Sequence, residues 1–293
     1  MLDTLGIGCE VEGLSVGRLL DAGWDVHTVT NSQGGQVSAV IEYGGARLCY
    51  KAGVAWLGIE ASLPALLAGD NSVLLDAAGC REGAVKLCEL ACTAVGCDLP
   101  ALGDWKVSRF DPVWAWPCDP APYIGALTVA RLPRTEGVRY GSSVRWVTRT
   151  GRVRARCYDK KEEQGRDVDL PLRLERQVRR REVVRDAAGG EVGRRVDDVL
   201  ADGVCVGIVR GAVAALGLDR PIPTLQATKR VLIEMYGRRR GLTAWAVLRD
   251  VIDCGGVWPG HFGVPRRRQY EKLWRDAGVS VSSPVGELPP LVV

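Results

Sequence analysis

Two alternating segments separated by a pair of glycines constrain the fold of this chain more than any other feature. In residues 37–43 and 46–51 apolar and polar side chains alternate, which is the period of a half-buried β-strand. Gly44-Gly45 between them is typical of a two-residue hairpin turn, because glycine readily adopts the positive φ angles that such turns need. The sequence therefore predicts a β-hairpin, and with it an antiparallel sheet.

The remaining periodicity predicts more strands and two groups of helices. Residues 54–62, 105–116, 138–148, 152–161 and 172–184 have the pattern of strands, with a polar loop over residues 162–169. Residues 72–97 and 121–132 have helical spacing, and so do residues 196–216, 224–236, 242–252 and 266–277. We therefore expect an α+β fold, in which a largely antiparallel sheet with helices on one face precedes an all-helical C-terminal domain.

A stretch rich in glycine and charge, residues 186–195, indicates a domain boundary. We expect one domain over residues 1–187, a helical domain over residues 188–281, and a tail with prolines over residues 282–293. The arginine triplets at residues 238–240 and 266–268 suggest that the helical domain is a helix-turn-helix-like DNA reader or a partner-binding module. A solvated helix start is the alternative interpretation of these triplets.

The charge of the chain is unevenly distributed. Its formal net charge is +4, but residues 131–185 contain 17 Lys/Arg against 8 Asp/Glu and so carry +9. Such a basic segment favours a polyanionic partner, with nucleic acid as the first candidate and a solvated charged surface as the alternative.

Other classes of protein and site do not match the composition. Ten cysteines with only His27 and His261 provide no Cys/His zinc pattern, so we expect reduced cysteines. We see no apolar run of about 20 residues and no secretion signal, and therefore expect a cytoplasmic protein without a membrane partner.

The segment from Arg152 to Lys160 carries the most chemical information. If it is a strand, Val153, Ala155 and Cys157 share one face, and the opposite face carries a tyrosine among four cations: Arg152, Arg154, Arg156, Tyr158 and Lys160. Cations beside a phenol can hold a phosphodiester and favour the nucleophilic phenolate. A half-buried structural tyrosine among solvated arginines is the alternative.

Three carboxylates lie in strand-like surroundings. Glu60 and Asp111 follow apolar strand residues, and Glu175 shares a predicted strand face with Arg173 and Gln177. Oxygen ligands from three strands would suit Mg²⁺ or Mn²⁺. Taken singly, each acid is better explained as the salt-bridge partner of an arginine than as a metal ligand.

Four motifs in these strands resemble the replication initiators of filamentous phages, the gene II/X type. Ile59-Glu-Ala-Ser-Leu-Pro-Ala-Leu-Leu-Ala-Gly-Asp-Asn71 is similar to the family's Glu-x-(x)-Ser-x-Pro…Leu-x-Gly-x-Asn signature, and Val107-Ser-Arg-Phe-Asp111 to its Ser-Arg-Ile-Asp strand. Ala155-Arg-Cys-Tyr-Asp-Lys160 resembles its tyrosine strand, and Leu172-Arg-Leu-Glu-Arg176 its Arg-hydrophobic-Glu strand. The motifs occur in the family's order.

This resemblance implies a site-specific nickase that starts rolling-circle replication on a phage or plasmid origin through a 5′-phosphotyrosine. It implies Tyr158 as the nucleophile, with Lys160 near the scissile phosphate, and Glu60, Asp111 and Glu175 as ligands of Mg²⁺ or Mn²⁺. The isolated histidines exclude the His-hydrophobic-His site of the wider class and leave an all-carboxylate one.

The expected partner is origin DNA, single-stranded or melted, with a host helicase or polymerase as a further partner. Five arginines are candidates for phosphate contacts: Arg109, Arg152, Arg154, Arg156 and Arg173.

Three alternatives remain open from the sequence. The chain could be a DNA-binding regulator without catalysis, or a metal-dependent nuclease that uses water. Tyr140 also lies in the basic region and could be the nucleophile instead of Tyr158.

Overall fold

The computed structural model of the chain describes residues 1–31, 34–127, 130, 132–179, 182, 190–222, 224–254, 258–277, 279 and 288–293. The strands in these residues are β1 (Leu2–Glu10), β2 (Asp25–Asn31), β3 (Gly34–Tyr43), β4 (Ala46–Lys51), β5 (Trp56–Ser62), β6 (Lys106–Trp116), β7 (Glu136–Tyr140), β8 (Ser143–Val147), β9 (Val153–Asp159), β10 (Leu172–Arg176) and β11 (Val178–Arg179). The helices are α1 (Val16–Asp21), α2 (Leu63–Ala68), α3 (Ala77–Val95), α4 (Pro120–Leu127), α5 (Lys160–Gln164), α6 (Val196–Val199), α7 (Val204–Ala215), α8 (Leu225–Asp253) and α9 (Val264–Asp276). This confirms the predicted α+β class with a helical C-terminal region.

The chain forms two compact units, and each consists of two segments. Unit 1 comprises Met1–Trp114 and Glu175–Val209, and unit 2 comprises Ala115–Leu174 and Arg210–Val293. The predicted boundary between residues 187 and 188 lies outside the described residues. The observed division differs from the predicted order of a sheet domain followed by a helical one, because the chain leaves unit 1 near the end of β6 and returns at Glu175.

The sheet of unit 1 has the strand order β2-β3-β4-β5-β1-β6, and the two-residue strand β11 pairs with β6. Neighbouring strands in this sheet pair antiparallel. The predicted hairpin is confirmed as β3–β4, where Tyr43 pairs with Ala46 and the turn glycines Gly44 and Gly45 have φ angles of 58° and 81°. Strand β1, which the sequence did not predict, pairs with both β5 and β6 and lies inside the sheet.

Helix α3 covers one face of this sheet. It begins at the N-cap Asp76, whose carboxylate accepts the amide N–H of Gly79 at 2.8 Å, and it ends at Gly96, which has a φ of 64°. Its buried residues recur every three or four positions and join the core formed by the apolar residues of β1, β4 and β5: Cys80, Ala84, Leu87, Ala91 and Val95. The helix predicted over residues 72–97 is therefore confirmed, with a later start.

The sheet of unit 2 contains β7, β8, β9 and β10 in that order. The single strand predicted over residues 138–148 was wrong, because Gly141, with a φ of 53°, closes a tight turn and splits the segment into the hairpin β7–β8. Strand β8 is anchored by Trp146, which is fully buried and donates its indole N–H to the carbonyl of Ala130 at 2.8 Å.

The helices in the C-terminal part of the chain also differ from the prediction in detail. Helix α8 runs through the two predicted helices, but Gly237 within it has φ 75° and ψ 161° and breaks it into two helical segments. The helix predicted over residues 196–216 is divided into α6 and α7. Within the part of the chain that the structure describes, no helix combines the length and apolar character of a membrane span.

The predicted tail is held against unit 2 in its last six residues, whereas residues 282–287 lie outside the described part. Leu288 forms a β-bridge with Ile222. The hydroxyl of Tyr123 donates to the carbonyl of Pro289 and the indole of Trp116 to that of Val292, both at 2.8 Å. The prediction of a tail was wrong for these residues, because their carbonyls accept hydrogen bonds from buried aromatic side chains.

Candidate active site

Strand β9 has the alternation that the sequence predicts. Ala155 and Cys157 are fully buried, whereas Arg154 and Arg156 are half-buried on the opposite face. Burial raises the pKa of the Cys157 thiol, so this cysteine is held as the unreactive thiol. The candidate site on β9 is therefore the face that carries Tyr158.

Cations surround the Tyr158 ring. Arg156 places its Cζ 4.3 Å from the ring centroid and donates from Nη2 to the phenolic oxygen at 3.4 Å, and Lys160 places its Nζ 5.8 Å from the centroid. The tyrosine is only 3% exposed, but it borders a cavity of about 240 Å³ that Ser143 and Arg145 of β8 also line. We call this space the Tyr158 cavity.

Glu163, which the sequence did not single out, holds both cations in place. Its Oε1 accepts from Arg156 Nη1 at 3.2 Å and its Oε2 accepts from Lys160 Nζ at 2.6 Å. Glu163 reaches them because residues 160–164, which the sequence divides between a strand ending at residue 161 and a polar loop, form helix α5. The helix is capped by Asp159, which accepts the amide N–H groups of Lys161 and Glu162.

Lys160 is fully buried in this arrangement. A buried lysine that donates to a carboxylate is a fixed cation. Its geometry suits charge stabilisation beside Tyr158 better than proton abstraction.

A second group of predicted site residues lies in unit 1, across the strands β5, β1 and β6. The register places Gly6 between Glu60 and Arg109, and Asp111 opposite Thr4. Because Gly6 has no side chain, the Arg109 side chain crosses it and reaches Glu60. A Cβ at Gly6 would lie 3.1 Å from Glu60 Oε2 and 3.3 Å from Arg109 Cβ.

Arg109 binds both carboxylates. Its Nε donates to Asp111 Oδ1 at 3.1 Å and to Oδ2 at 2.9 Å, its Nη2 also bonds to Oδ2, and its Nη1 bonds to Glu60 Oε1. Arg179 of β11, which pairs with Arg109 in register, approaches Glu60 Oε2 at 3.8 Å. Burial would lower the pKa of Arg109, but its bonds to Asp111 and the charge of Glu60 raise it.

Asp111 is fully buried, and its pKa is raised to about 7. Burial is the largest cause, and the negative charges of Glu175 and Asp3 add to it, while Arg109 opposes it. Glu175 and Asp3 are themselves 1% and 3% exposed. The structure thus places three buried acids within electrostatic reach of one another, and Asp3, on the unpredicted strand β1, is the one that the sequence did not reveal.

The predicted carboxylates do not form a metal site in this arrangement. The described residues contain no group of three or more Asp, Glu, His or Cys side chains with the geometry to hold a metal ion. Both oxygens of Asp111 accept from Arg109, and each oxygen of Glu60 faces an arginine. A divalent ion at Glu60 and Asp111 would first have to displace the Arg109 guanidinium.

The five arginines predicted to contact DNA differ in accessibility. Arg152 is exposed, and Arg154 and Arg156 are half-buried on the Tyr158 face of β9. The side chain of Arg109 is 16% exposed and bound to carboxylates. Arg173 is fully buried, because both faces of β10 are covered, so the prediction that it contacts a phosphate conflicts with its position.

The Tyr158 group and the Glu60–Arg109–Asp111 group belong to different units. Glu175 belongs to unit 1 with the acids, whereas Arg173, two residues earlier in the same strand, belongs to unit 2.

No family model matches the chain, and no curated protein matches it. Among solved structures, the chain is similar to a rolling circle replication initiator protein from Geobacillus stearothermophilus, at 14% sequence identity and a TM-score of 0.37. The match covers 74% of this chain and 84% of that one.

Proposed function

We propose that this chain is a DNA nickase and strand transferase that starts rolling-circle replication of a phage or plasmid, with Tyr158 as its nucleophile. The observation that carries the proposal is Tyr158 itself, which lines a cavity and whose hydroxyl accepts a hydrogen bond from Arg156. The resemblance of the strand around it to the tyrosine strand of phage initiators supports the same role.

The reaction is a transesterification that conserves the number of phosphoester bonds. The phenolic oxygen of Tyr158 attacks the phosphorus and forms an O–P bond, and the bond from phosphorus to the 3′ oxygen breaks. The phenolic proton is released, and the departing 3′ oxygen takes up a proton. The products are a 5′-phosphotyrosine and a free 3′-OH, which can prime a polymerase.

The cations around Tyr158 have defined tasks in this step. Arg156 can stabilise the phenolate as it forms and, with its planar guanidinium, the charge on the phosphoryl oxygens. Lys160 adds a second fixed positive charge, and Glu163 positions both. The proposed step does not pass through a divalent ion, because two of the three predicted ligands, Glu60 and Asp111, are bound to arginines.

Dependence on Mg²⁺ or Mn²⁺ remains a prediction from the family resemblance. The partners that this function requires are origin DNA, single-stranded or melted, and a host helicase or polymerase that extends the 3′-OH.

The test is covalent capture of DNA. The purified full chain is incubated with a 3′-labelled single-stranded library that carries a random insert, with Mg²⁺, Mn²⁺ or EDTA, and then denatured in SDS. We expect labelled DNA to stay bound to the denatured wild-type protein and none to stay bound to Tyr158→Phe. Sequencing of the protein-bound DNA should give the target site. Label retained equally by Tyr158→Phe would refute Tyr158 as the nucleophile.

Tyr140 is the matched control for this experiment. It is 56% exposed at the end of β7, with the Arg145 guanidinium 5.1 Å from its ring centroid, so it too combines a phenol with a cation. We expect Tyr140→Phe to form the adduct normally. Loss of the adduct only in Tyr140→Phe would move the nucleophile there. Cleavage without any adduct would favour a water-using nuclease, and binding without cleavage would favour a regulator.

A further inference from the structure

A cationic cavity lies at the break in helix α8. Gly237 ends the first helical segment with a backbone conformation outside the helical region, and the second segment starts at once with Arg238. Gly241 then packs against the first segment, because a Cβ there would lie 2.4 Å from the carbonyl oxygen of Leu232 and 2.6 Å from the Cα of Ile233. This close contact holds the two segments together and fixes the shape of the corner between them.

The cavity at this corner measures about 540 Å³, and polar and apolar groups contribute similarly to its walls. Three consecutive arginines, Arg238–Arg240, line it together with Thr243 and with Gln269 of α9. Its two tyrosines are already engaged, since Tyr236 donates its hydroxyl to the carbonyl of Leu273 and Tyr270 is buried against Trp274. Thr243 likewise donates its hydroxyl to the carbonyl of Arg239 at 2.9 Å, so the groups available to a ligand are guanidinium and amide groups.

The charges of this cavity are not balanced within the described part of the chain. No acidic residue lines it, and no ion pair joins Arg238, Arg239 or Arg240 to a carboxylate among the described residues. Other cations of the same helices do have acidic partners, such as Arg249 with Asp253 and Lys272 with Asp276. Three cations in the first turn of a helix also oppose its dipole, so an anion bound among them would remove an unfavourable interaction.

We propose that this arginine cavity binds phosphate groups of a nucleic-acid backbone. Guanidinium groups match phosphate oxygens in a bidentate way, and the exposed fork of each arginine can reach a neighbouring phosphate of the same strand. Residues 224–279 as a whole contain 11 Lys/Arg against 5 Asp/Glu, so their net charge of +6 also favours a polyanion. Because the tyrosine rings are used in packing, the contacts are to phosphates and independent of base sequence.

This inference goes beyond the proposed nicking reaction and does not depend on Tyr158. It is tested by binding alone, in EDTA and with the full chain carrying Tyr158→Phe, so a failure of the nicking proposal leaves the result interpretable. Fluorescence anisotropy with one labelled duplex and one labelled single strand of arbitrary sequence gives Kd at several KCl concentrations.

The decisive comparison is between two double variants with the same loss of charge. Arg238→Gln with Arg240→Gln changes the cavity, and Arg230→Gln with Arg249→Gln changes exposed positions of the same helix outside it. We expect the cavity variant to weaken binding about 10-fold or more and to reduce the salt slope by about 1 to 2, since each phosphate contact contributes about 0.9 for duplex DNA. The control variant should change the Kd and the salt slope by less than half as much as the cavity variant does.

Equal effects of the two double variants, or none in the cavity variant, would overturn the proposal. Far-ultraviolet circular dichroism identifies a variant that fails to fold, and Arg238→Lys with Arg240→Lys then provides the comparison. This lysine variant should keep the salt slope and bind more weakly. Titration with ATP distinguishes a nucleic-acid backbone from a free nucleotide as the source of the phosphate. A backbone site would be refuted if the cavity variant lost saturable ATP binding while its DNA affinity stayed unchanged.

Discussion

Asp111 should make this protein more stable at acidic pH, which is the opposite of the usual behaviour of an aspartate. In the folded chain its pKa is about 7, against 3.8 for the free side chain, because it is buried beside two further acids. The folded state therefore binds more protons than the unfolded state between these two values. The stability from Asp111 is fully present below pH 3.8 and is lost as the pH rises through 7.

The size of the effect follows from the same two values. Almost all of the extra proton uptake in this range falls below the folded pKa of about 7. One pH unit corresponds to about 1.4 kcal/mol when one proton is taken up, so the two units from pH 7 to 5 make up nearly all of the change. Lowering the pH from 8 to 5 should therefore add about 3 kcal/mol to the free energy of unfolding from Asp111 alone. The substitution Asp111→Asn removes the titrating group and keeps its size. The quantity to compare is the free energy of unfolding of Asp111→Asn minus that of wild type. We expect this difference to be about 3 kcal/mol larger at pH 8 than at pH 5.

The assay is urea unfolding followed by tryptophan fluorescence in EDTA, at several values between pH 5 and 8. Asp197→Asn serves as the control, because Asp197 is an exposed acid of unit 1 whose ion pair with Arg81 lies on the surface. Its stability difference from wild type should stay constant within a few tenths of a kcal/mol. A constant difference between Asp111→Asn and wild type would refute the raised pKa.

Three further substitutions test individual contacts. Gly6→Ala should cost about 1–3 kcal/mol in urea unfolding, because its Cβ would displace Arg109 or Glu60, whereas Gly17→Ala, with open space around it, should be neutral or stabilising. Gly241→Ala should destabilise the α8 corner by a similar amount or more, because its Cβ would meet the backbone of Leu232, and Gly211→Ala is the unobstructed control. Glu163→Gln should slow formation of the DNA adduct, by up to about 100-fold, because it releases Arg156 and Lys160, while Glu136→Gln, at an exposed position of β7 outside the Tyr158 cavity, should have little effect in the same SDS assay.

The parts of the fold that the sequence predicted are those with an uninterrupted local period. The β3–β4 hairpin, helix α3 and the alternating faces of β9 depend on neighbouring residues and turn glycines. Strand β1 lacks that signal, because Gly6 and Gly8 occupy the positions that would otherwise show a polar face. The β7–β8 hairpin was missed because Gly141 is one small residue inside a run that otherwise has the pattern of a single strand.

For the candidate site, the sequence likewise predicted which residues matter but not which side chains they contact. The predicted acids lie on the strands where the sequence placed them, whereas Lys160 begins helix α5, and the pairings of these side chains depend on contacts between distant segments. Arg109 reaches Glu60 only because Gly6 from another strand leaves space. Glu163 was missed because helix α5 is five residues long, which is too short to show a helical period.

Arg109 cannot contact DNA, and Glu60 and Asp111 cannot ligate a metal, while they are bound to one another. The donors that would contact a DNA phosphate are the ones that bind Asp111 and Glu60, and the oxygens that would ligate a metal are the ones that accept from Arg109. At pH 8 and without DNA, Mn²⁺ titration followed by electron paramagnetic resonance should therefore show no tight site in wild type. Arg109→Ala frees the carboxylate oxygens and should bind Mn²⁺ more tightly than wild type, whereas Arg47→Ala, at an exposed position on β4, should not. Tight Mn²⁺ binding by the unsubstituted chain would instead indicate that these carboxylates are available to a metal despite Arg109. That result would support the all-carboxylate site predicted from the sequence.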